Sequence, residues 1–300
     1  MEKDFLTIKG MTKDEITGII DKGLEIKKCG RGGQNTPFQG CTLGLLFEKA
    51  STRTRISFEI AMFRLGGQTI FLSKGDTQLS RDEPIFDTAR VLSRYLDVLA
   101  IRTYSQSMVE EMARWAEIPV INALTDLYHP CQILSDLMTV KEKRGSLKDL
   151  KISWIGDGNN MAHSWINAAE ILGFELALAC PDGYHPDPEV LAKTGVNIKV
   201  VKDPAAAVHD ADVINTDVWT SMGQDAEREQ RILDFKGFQV NEHLVELAKP
   251  DVMVMHCLPA HRGEEISETV MEGRRSVVFD QAENKVFLHQ ALLDMLLRQR

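Results

Sequence analysis

Three hundred residues with 43% apolar content have the length of about two domains and enough hydrophobic material for a full core in each. The balance of 35 basic against 44 acidic residues, a net charge of -9, excludes nonspecific binding to nucleic acid or anionic membranes, because both need a basic surface. Five scattered cysteines do not make a disulfide framework, no apolar run approaches the ~20 residues of a spanning helix, and Met1 to Gly10 lacks a signal core, so a soluble protein of a reducing cytoplasm is expected.

In chain order, the elements begin with a capping-box pattern, Thr12 to Glu15, ahead of Ile16, Ile19, Ile20 and Leu24 on one helical face. Cys29 to Gly40, with four glycines and a proline, ends that helix. The apolar run Leu43 to Phe47 predicts a buried strand, and Ile56, Phe58, Met62 and Leu65 have helical spacing. Ser51 or Thr52 is the expected N-cap between them. A strand at Thr69 to Leu72 leads into a polar loop, Ser73 to Pro84, long enough for an α/β connection to suggest function. Then follow a helix at Glu83 to Tyr95, a strand at Val98 to Thr103, a helix around Met108 to Trp115 and a strand at Val120 to Leu124. Pro130 suits the first position of a helix carrying Ile133, Leu134, Leu137, Met138 and Val140.

Arg144 to Asp149 reads as a link, after which the alternation restarts. Strands are expected at Ile152 to Ile155, Leu176 to Cys180, Ile198 to Val201, Val213 to Thr216, Val252 to Cys257 and Val277 to Phe279, with a final helix from Asn284 to Gln299. Strand and helix in alternation imply parallel sheets covered on both faces. The fold class is therefore α/β, with two doubly wound parallel-sheet domains in series, residues 1–145 and 146–283, and a ligand cleft expected between the carboxyl ends of their strands.

The chemistry gathers at those strand ends. In Phe47-Glu48-Lys49-Ala50-Ser51-Thr52-Arg53-Thr54-Arg55, the free N–H groups and positive dipole end of a helix meet hydroxyls and guanidinium groups, a set suited to a phosphate. The plainer alternative is a capped helix with solvated arginines. Arg102 ends one strand, and His129 and Gln132 follow the next; with the helix cap they form a set that can hold a phosphate and polarise a neighbouring carbonyl. In the second half, Gly156-Asp157-Gly158 resembles the start of a dinucleotide fingerprint, but Met161 occupies the third glycine position and Asp157 would oppose a pyrophosphate, so NAD ranks low. Asn159 and Asn160 are helix caps instead. Asp217 precedes Ser221-Met222-Gly223 in a polar loop. His256-Cys257 raises the question of zinc or of a protease dyad, yet there is no second closely spaced ligand pair and no nucleophile signature.

Phe47 to Arg55, Asp87 to Leu92, His129 to Gln132, Asp217 with Ser221-Met222-Gly223, and His256 to Gly263 together resemble, in order and spacing, the motifs of the ornithine carbamoyltransferases. Ser-Thr-Arg-Thr-Arg and His-Pro-x-Gln are shared with aspartate carbamoyltransferases; the Ser-Met-Gly loop and His-Cys-Leu-Pro single out the ornithine enzymes. The resemblance implies carbamoyl transfer from carbamoyl phosphate to the δ-amine of L-ornithine, without metal or other cofactor, in a cytoplasmic homotrimer or an assembly of trimers. It assigns carbamoyl phosphate to Ser51, Thr52, Arg53, Thr54, Gln78, Arg102, His129, Pro130, Cys131, Gln132, Cys257, Leu258 and Lys285. It assigns ornithine to Asn160, Asp217, Ser221 and Met222, and catalysis to Arg102, His129 and Cys257. Residues 1–145 become the carbamoyl-phosphate domain, with the helix from residue 284 packing back on it, and 146–283 the ornithine domain. Lys285 departs from the family's usual arginine, keeping the charge but losing the planar fork. A related enzyme acting on putrescine or an N-acylated ornithine is the alternative.

Overall fold

The computed structural model describes residues 2–30, 36–73, 75, 83–192, 194–221 and 225–299. The chain divides into two compact units: Met1–Met138 with Glu283–Arg300, and Thr139–Ala282.

In the first unit, α1 (Lys13–Cys29) starts at Thr12 with a complete capping box, the Thr12 side chain accepting from the Glu15 N–H while the Glu15 carboxylate accepts from the Thr12 N–H at 2.8 Å. It buries Ile16, Ile19 and Ile20. There follow β1 (Thr42–Phe47), α2 (Thr52–Arg64), β2 (Gln68–Ser73), α3 (Ile85–Tyr95), β3 (Val98–Arg102), α4 (Gln106–Trp115), β4 (Val120–Leu124) and α5 (Pro130–Arg144). The strands form a parallel sheet in the order β2-β1-β3-β4. All of β1 is buried, as a central strand covered on both faces must be. On one side Leu46, Leu99 and Ile101 pack with Ala89 of α3 and Val109 and Met112 of α4.

Of the apolar residues expected on the buried face of α2, Phe58, Met62 and Leu65 are buried and Ile56 is not. Ile56 is 50% exposed, while Thr54, Ser57, Phe58, Ala61, Met62 and Leu65 are buried. That set has the spacing of one helical stripe. Its polar members, Thr54 and Ser57, are not apparent from the sequence.

The second unit runs β5 (Lys151–Ile155), α6 (Asn160–Leu172), β6 (Glu175–Ala179), α7 (Pro188–Leu191), β7 (Ile198–Val201), α8 (Pro204–Val208), β8 (Val213–Thr216), α9 (Arg228–Asp234), α10 (Glu242–Glu246), β9 (Met253–His256) and α11 (Glu268–Met271). Its parallel sheet has the order β7-β6-β5-β8-β9. The expected strand at Val277 to Phe279 is absent: Ser276 makes an isolated bridge to Val254, the Val277 N–H reaches the Val254 carbonyl at 3.0 Å, and α12 (Val278–Leu297) begins at the next residue. Two adjacent valines read as a strand by propensity, but the helix-forming sequence behind them wins after that single bridge. In the portion of α12 that belongs to the first unit, Leu288, Leu292 and Leu296 are fully buried.

In each sheet the chain order reverses once beside the first strand formed, between β1 and β3 and between β5 and β8. Loops leaving such neighbours turn to opposite faces and open a crevice at the strand ends, where open α/β sheets bind ligands.

Candidate active site

The first unit's crevice is built by the end of β1 and the start of α2. Ser51 is the N-cap, its Oγ accepting from the Thr54 N–H at 3.3 Å. No acidic residue occupies the first turn, so the helix end stays positive. Thr52 is exposed and Arg53 partly buried at this end. Arg55 is drawn elsewhere: its Nε donates to Glu59 at 2.8 Å and its guanidinium lies 3.7 Å from the centre of the Phe71 ring. It does not extend the donor cluster as the sequence suggested.

Thr54 is only 1% exposed. Lys285, from α12, donates from Nζ to Thr54 Oγ1 at 3.1 Å and to Gln132 Oε1 at 2.9 Å, and Gln132 Nε2 donates to the buried Asp136 at 2.8 Å. A lysine thus joins the N-terminus of α2 to the N-terminus of α5. Pro130 opens α5, and Arg102 ends β3 in register with Phe47. His129 is buried, and burial first, then the positive charges of Lys285 and Arg102, holds its proton affinity well below the ordinary 6.5. It is a neutral imidazole among cations. Cys131 faces inward: its thiol donates to the Asn122 carbonyl at 3.4 Å, and burial pushes its pKa up to about 12.

Sequence reasoning missed His289. Its ring stacks on Phe58 at 3.7 Å, its Nδ1 lies 3.0 Å from Ser57 Oγ, and Ser57 Oγ donates to the Thr54 carbonyl at 3.0 Å. With the single hydroxyl proton committed, His289 Nδ1 must be the donor. The available signal was its position one helical turn beyond Lys285.

In the second unit, Asn159 caps α6. Its Oδ1 accepts from the Met161 and Ala162 N–H groups while its Nδ2 donates to Asp217 Oδ2 at 2.9 Å. Asp217, at the end of β8, accepts at Oδ1 from the Val218 N–H at 2.8 Å and from the Cys257 thiol at 3.0 Å. The ends of β5, β8 and β9 therefore converge on one carboxylate. Asn160 is the first residue of α6, and Asn160, Ser221, Cys257 and Leu258 are partly buried. Gln78 and Met222 lie outside the described residues.

The dinucleotide reading fails on geometry as well as on motif. A Cβ on Gly158 would come within 2.2 Å of the Pro186 nitrogen, so this glycine admits the chain's own backbone rather than a pyrophosphate. Asp157 pairs with Arg231 at 2.8 Å. Burial raises its pKa despite that partner.

Asp217, His256 and Cys257 offer ligand atoms within 4.8 Å of one another, a grouping the sequence did not reveal. Both imidazole nitrogens of His256 are committed, however. Nδ1 accepts from the Leu258 N–H at 2.9 Å, and Nε2 faces Glu265 Oε1 at 3.1 Å. The histidine braces the turn after β9 instead of offering a ligand position. Among the described residues, no helix is long and apolar enough to cross a membrane.

Residues 3–142 match the family model described as aspartate/ornithine carbamoyltransferase, carbamoyl-P binding domain, and residues 148–296 match its companion, the Asp/Orn binding domain. The ornithine carbamoyltransferase of Desulfotalea psychrophila is 55% identical over 291 residues, covering 95% of this chain and 96% of that protein. That of Syntrophus aciditrophicus is 53% identical, covering 99% of this chain and 100% of that protein. Among solved structures, the ornithine carbamoyltransferase from Pyrococcus furiosus aligns with a TM-score of 0.93 at 48% identity, covering 97% of this chain and 95% of that one. The anabolic ornithine carbamoyltransferase from Campylobacter jejuni aligns with a TM-score of 0.93 at 41% identity over the whole of both chains.

Proposed function

Because the chain belongs to the aspartate/ornithine carbamoyltransferase family, we propose that it transfers the carbamoyl group of carbamoyl phosphate to the δ-amine of L-ornithine, giving L-citrulline and phosphate, a step of the kind used in arginine biosynthesis. The choice of ornithine over aspartate is carried by Asp217. A carboxylate fixed by Asn159, the Val218 N–H and the Cys257 thiol suits an amino acid bearing an extra ammonium group, whereas an aspartate co-substrate calls for a cation.

In this reading the N-terminus of α2, with Ser51, Thr52 and Arg53, holds the phosphate. Thr54, Arg102 and His129 face the carbamoyl oxygen, with Pro130, Cys131 and Gln132 shaping that end and Lys285 bracing it. The δ-amine nitrogen attacks the carbonyl carbon, charge builds on its oxygen, the bond to the phosphate oxygen breaks and the amine sheds a proton. Donors already in place stabilise the oxyanion without reorganising. His129 serves as a neutral donor, as its depressed proton affinity requires. Asn160, Asp217, Ser221 and Met222 orient the amino acid, while Cys257 and Leu258 lie against the reacting amine. Residues 1–145 with the C-terminal helix are the carbamoyl-phosphate domain and 146–283 the ornithine domain of a cytoplasmic homotrimer.

The test is ureido-product formation with ornithine, putrescine and N-acetylornithine side by side. Turnover should be confined to ornithine, and Asp217→Asn should raise the ornithine KM more than the carbamoyl phosphate KM. Preference for putrescine or the acylated substrate would transfer the protein to the neighbouring activity.

A further inference from the structure

Beyond the reaction, a second cluster of ligating groups lies in the turn after β9. The segment His261-Arg262-Gly263-Glu264-Glu265-Ile266 folds back on itself: Gly263 has φ of 89°, its N–H donates to the Ile266 carbonyl at 2.8 Å, and the Glu264 N–H donates to the His261 carbonyl at 2.9 Å. Neighbouring chain pins the turn. The Val240 N–H reaches the Glu265 carbonyl at 2.8 Å, and Gln239 Nε2 donates to the Gly263 and Glu264 carbonyls.

His261, Glu264 and Glu265 each offer one ligand atom within 4.8 Å of the others. Three of their side-chain atoms are buried without a hydrogen-bond partner: His261 Nδ1, Glu264 Oε2 and Glu265 Oε2. The remaining carboxylate oxygens are engaged. Glu265 Oε1 accepts from the His261 N–H at 2.6 Å and faces His256 Nε2, while Glu264 Oε1 pairs with Arg228. The Glu265 side chain is 0% exposed, and leaving a carboxylate oxygen unpaired at such depth is costly. Arg262 offers no relief, since it pairs with Glu268 and Glu272.

We propose that these three atoms form a binding site for a divalent first-row transition-metal cation, zinc being the best fit. One imidazole nitrogen and two carboxylate oxygens are a zinc-type ligand set, leaving an outer position for water. His261 Nδ1 and Glu264 Oε2 are 3.6 Å apart, close to the span of two ligands held at about 2.0–2.2 Å from one ion. A cation here satisfies all three orphaned atoms together. It also grips Glu265, and through that carboxylate His256, the residue next to Cys257. Outer partners of this kind orient metal ligands, and here the same bond lets the ion stiffen the turn that carries the thiol.

Zinc binding by the full-length chain, measured by equilibrium dialysis in a Cys257→Ser background that removes the competing thiol, tests this. The Cys257→Ser protein should bind one zinc ion per chain. Adding His261→Ala or Glu264→Gln should weaken that binding by about 100-fold or more, beyond what changes to outer partners cost, with the circular dichroism of the metal-free protein unchanged. His261 is partly exposed, so its replacement does not open the core. A Cys257→Ser protein that binds no zinc, or binding that survives both second substitutions, overturns the proposal.

Discussion

Lys285 is 5% exposed, with Thr54 and Gln132 as its hydrogen-bond acceptors. In Lys285→Ala those buried acceptors lose their donor, an expected cost of about 1–3 kcal/mol in urea unfolding. The substitution also removes the cation nearest His129 in effect, so the proton affinity of His129 rises. The acid limb of the kcat/KM profile should then move to higher pH, and Lys285→Arg should hold it in place. His129 and His289 both have folded-state pKa values well below 6.5, chiefly through burial. The unfolded chain therefore binds more protons, and the stability these residues support is fully present above about 6.5 and lost as the pH falls toward the folded-state values. The melting temperature should drop between pH 7 and 5, with a shallower slope in His289→Leu. A charge-assisted phosphate contact is worth about 1.5–3 kcal/mol, so Arg53→Ala should raise the carbamoyl phosphate KM by about 10- to 150-fold while the protein still folds.

Helix α9 carries Arg231, whose Nη1 donates to Asp157 and to the Trp219 carbonyl at 2.8 and 2.9 Å and whose guanidinium lies against the Tyr184 ring. Breaking a buried pair strands the partner's charge, so Arg231→Ala should cost about 3–5 kcal/mol in urea unfolding. Arg231→Lys should recover only part, because an ammonium lacks the separate Nε that donates to Glu227 and the flat face that lies against the Tyr184 ring. The central strands were legible because buried parallel strands are written as apolar runs, and the more exposed edge strands β2 and β7 through short runs rich in β-branched and aromatic residues. Val277 to Phe279 misled for the same reason: its valines carry strand propensity, but the chain meets β9 through a single bridge. The stripe of α2 was legible in Phe58, Met62 and Leu65 but not in Thr54 and Ser57, whose burial beside the crevice a polar side chain does not announce. That Asp217 and the N-terminus of α2 lie just past strand ends was legible from the apolar runs that precede them. The convergence of Thr54 with Lys285, 231 residues away in sequence, was not legible from local pattern, because only the packing of α12 brings them together.

At the scale of the whole molecule, we propose that in the homotrimer Gln78 of one chain serves the carbamoyl phosphate site of the next, and complementation tests this. When strongly impaired Arg53→Ala and Gln78→Ala chains, assayed at carbamoyl phosphate well below the raised KM, are unfolded together and reassembled in equal amounts, random mixing leaves roughly one site in four intact. Recovery toward that fraction of wild-type activity is the expected result; none, with mixed trimers present, would assign Gln78 to its own chain or to no site. The partition of the chain also bears on its birth. Residues 139–282 are contiguous, whereas the first unit comprises 1–138 and 283–300. Emerging from the ribosome N-terminus first, the earlier-made unit must wait for residues that follow the whole second unit in the chain, which bring Lys285, His289 and the buried Leu288, Leu292 and Leu296. The crevice at α2 is thus finished only after the second unit has been made. A chain cut after residue 282 holds all of its second unit but no finished first one, so truncation there is silenced rather than released as half-working enzyme.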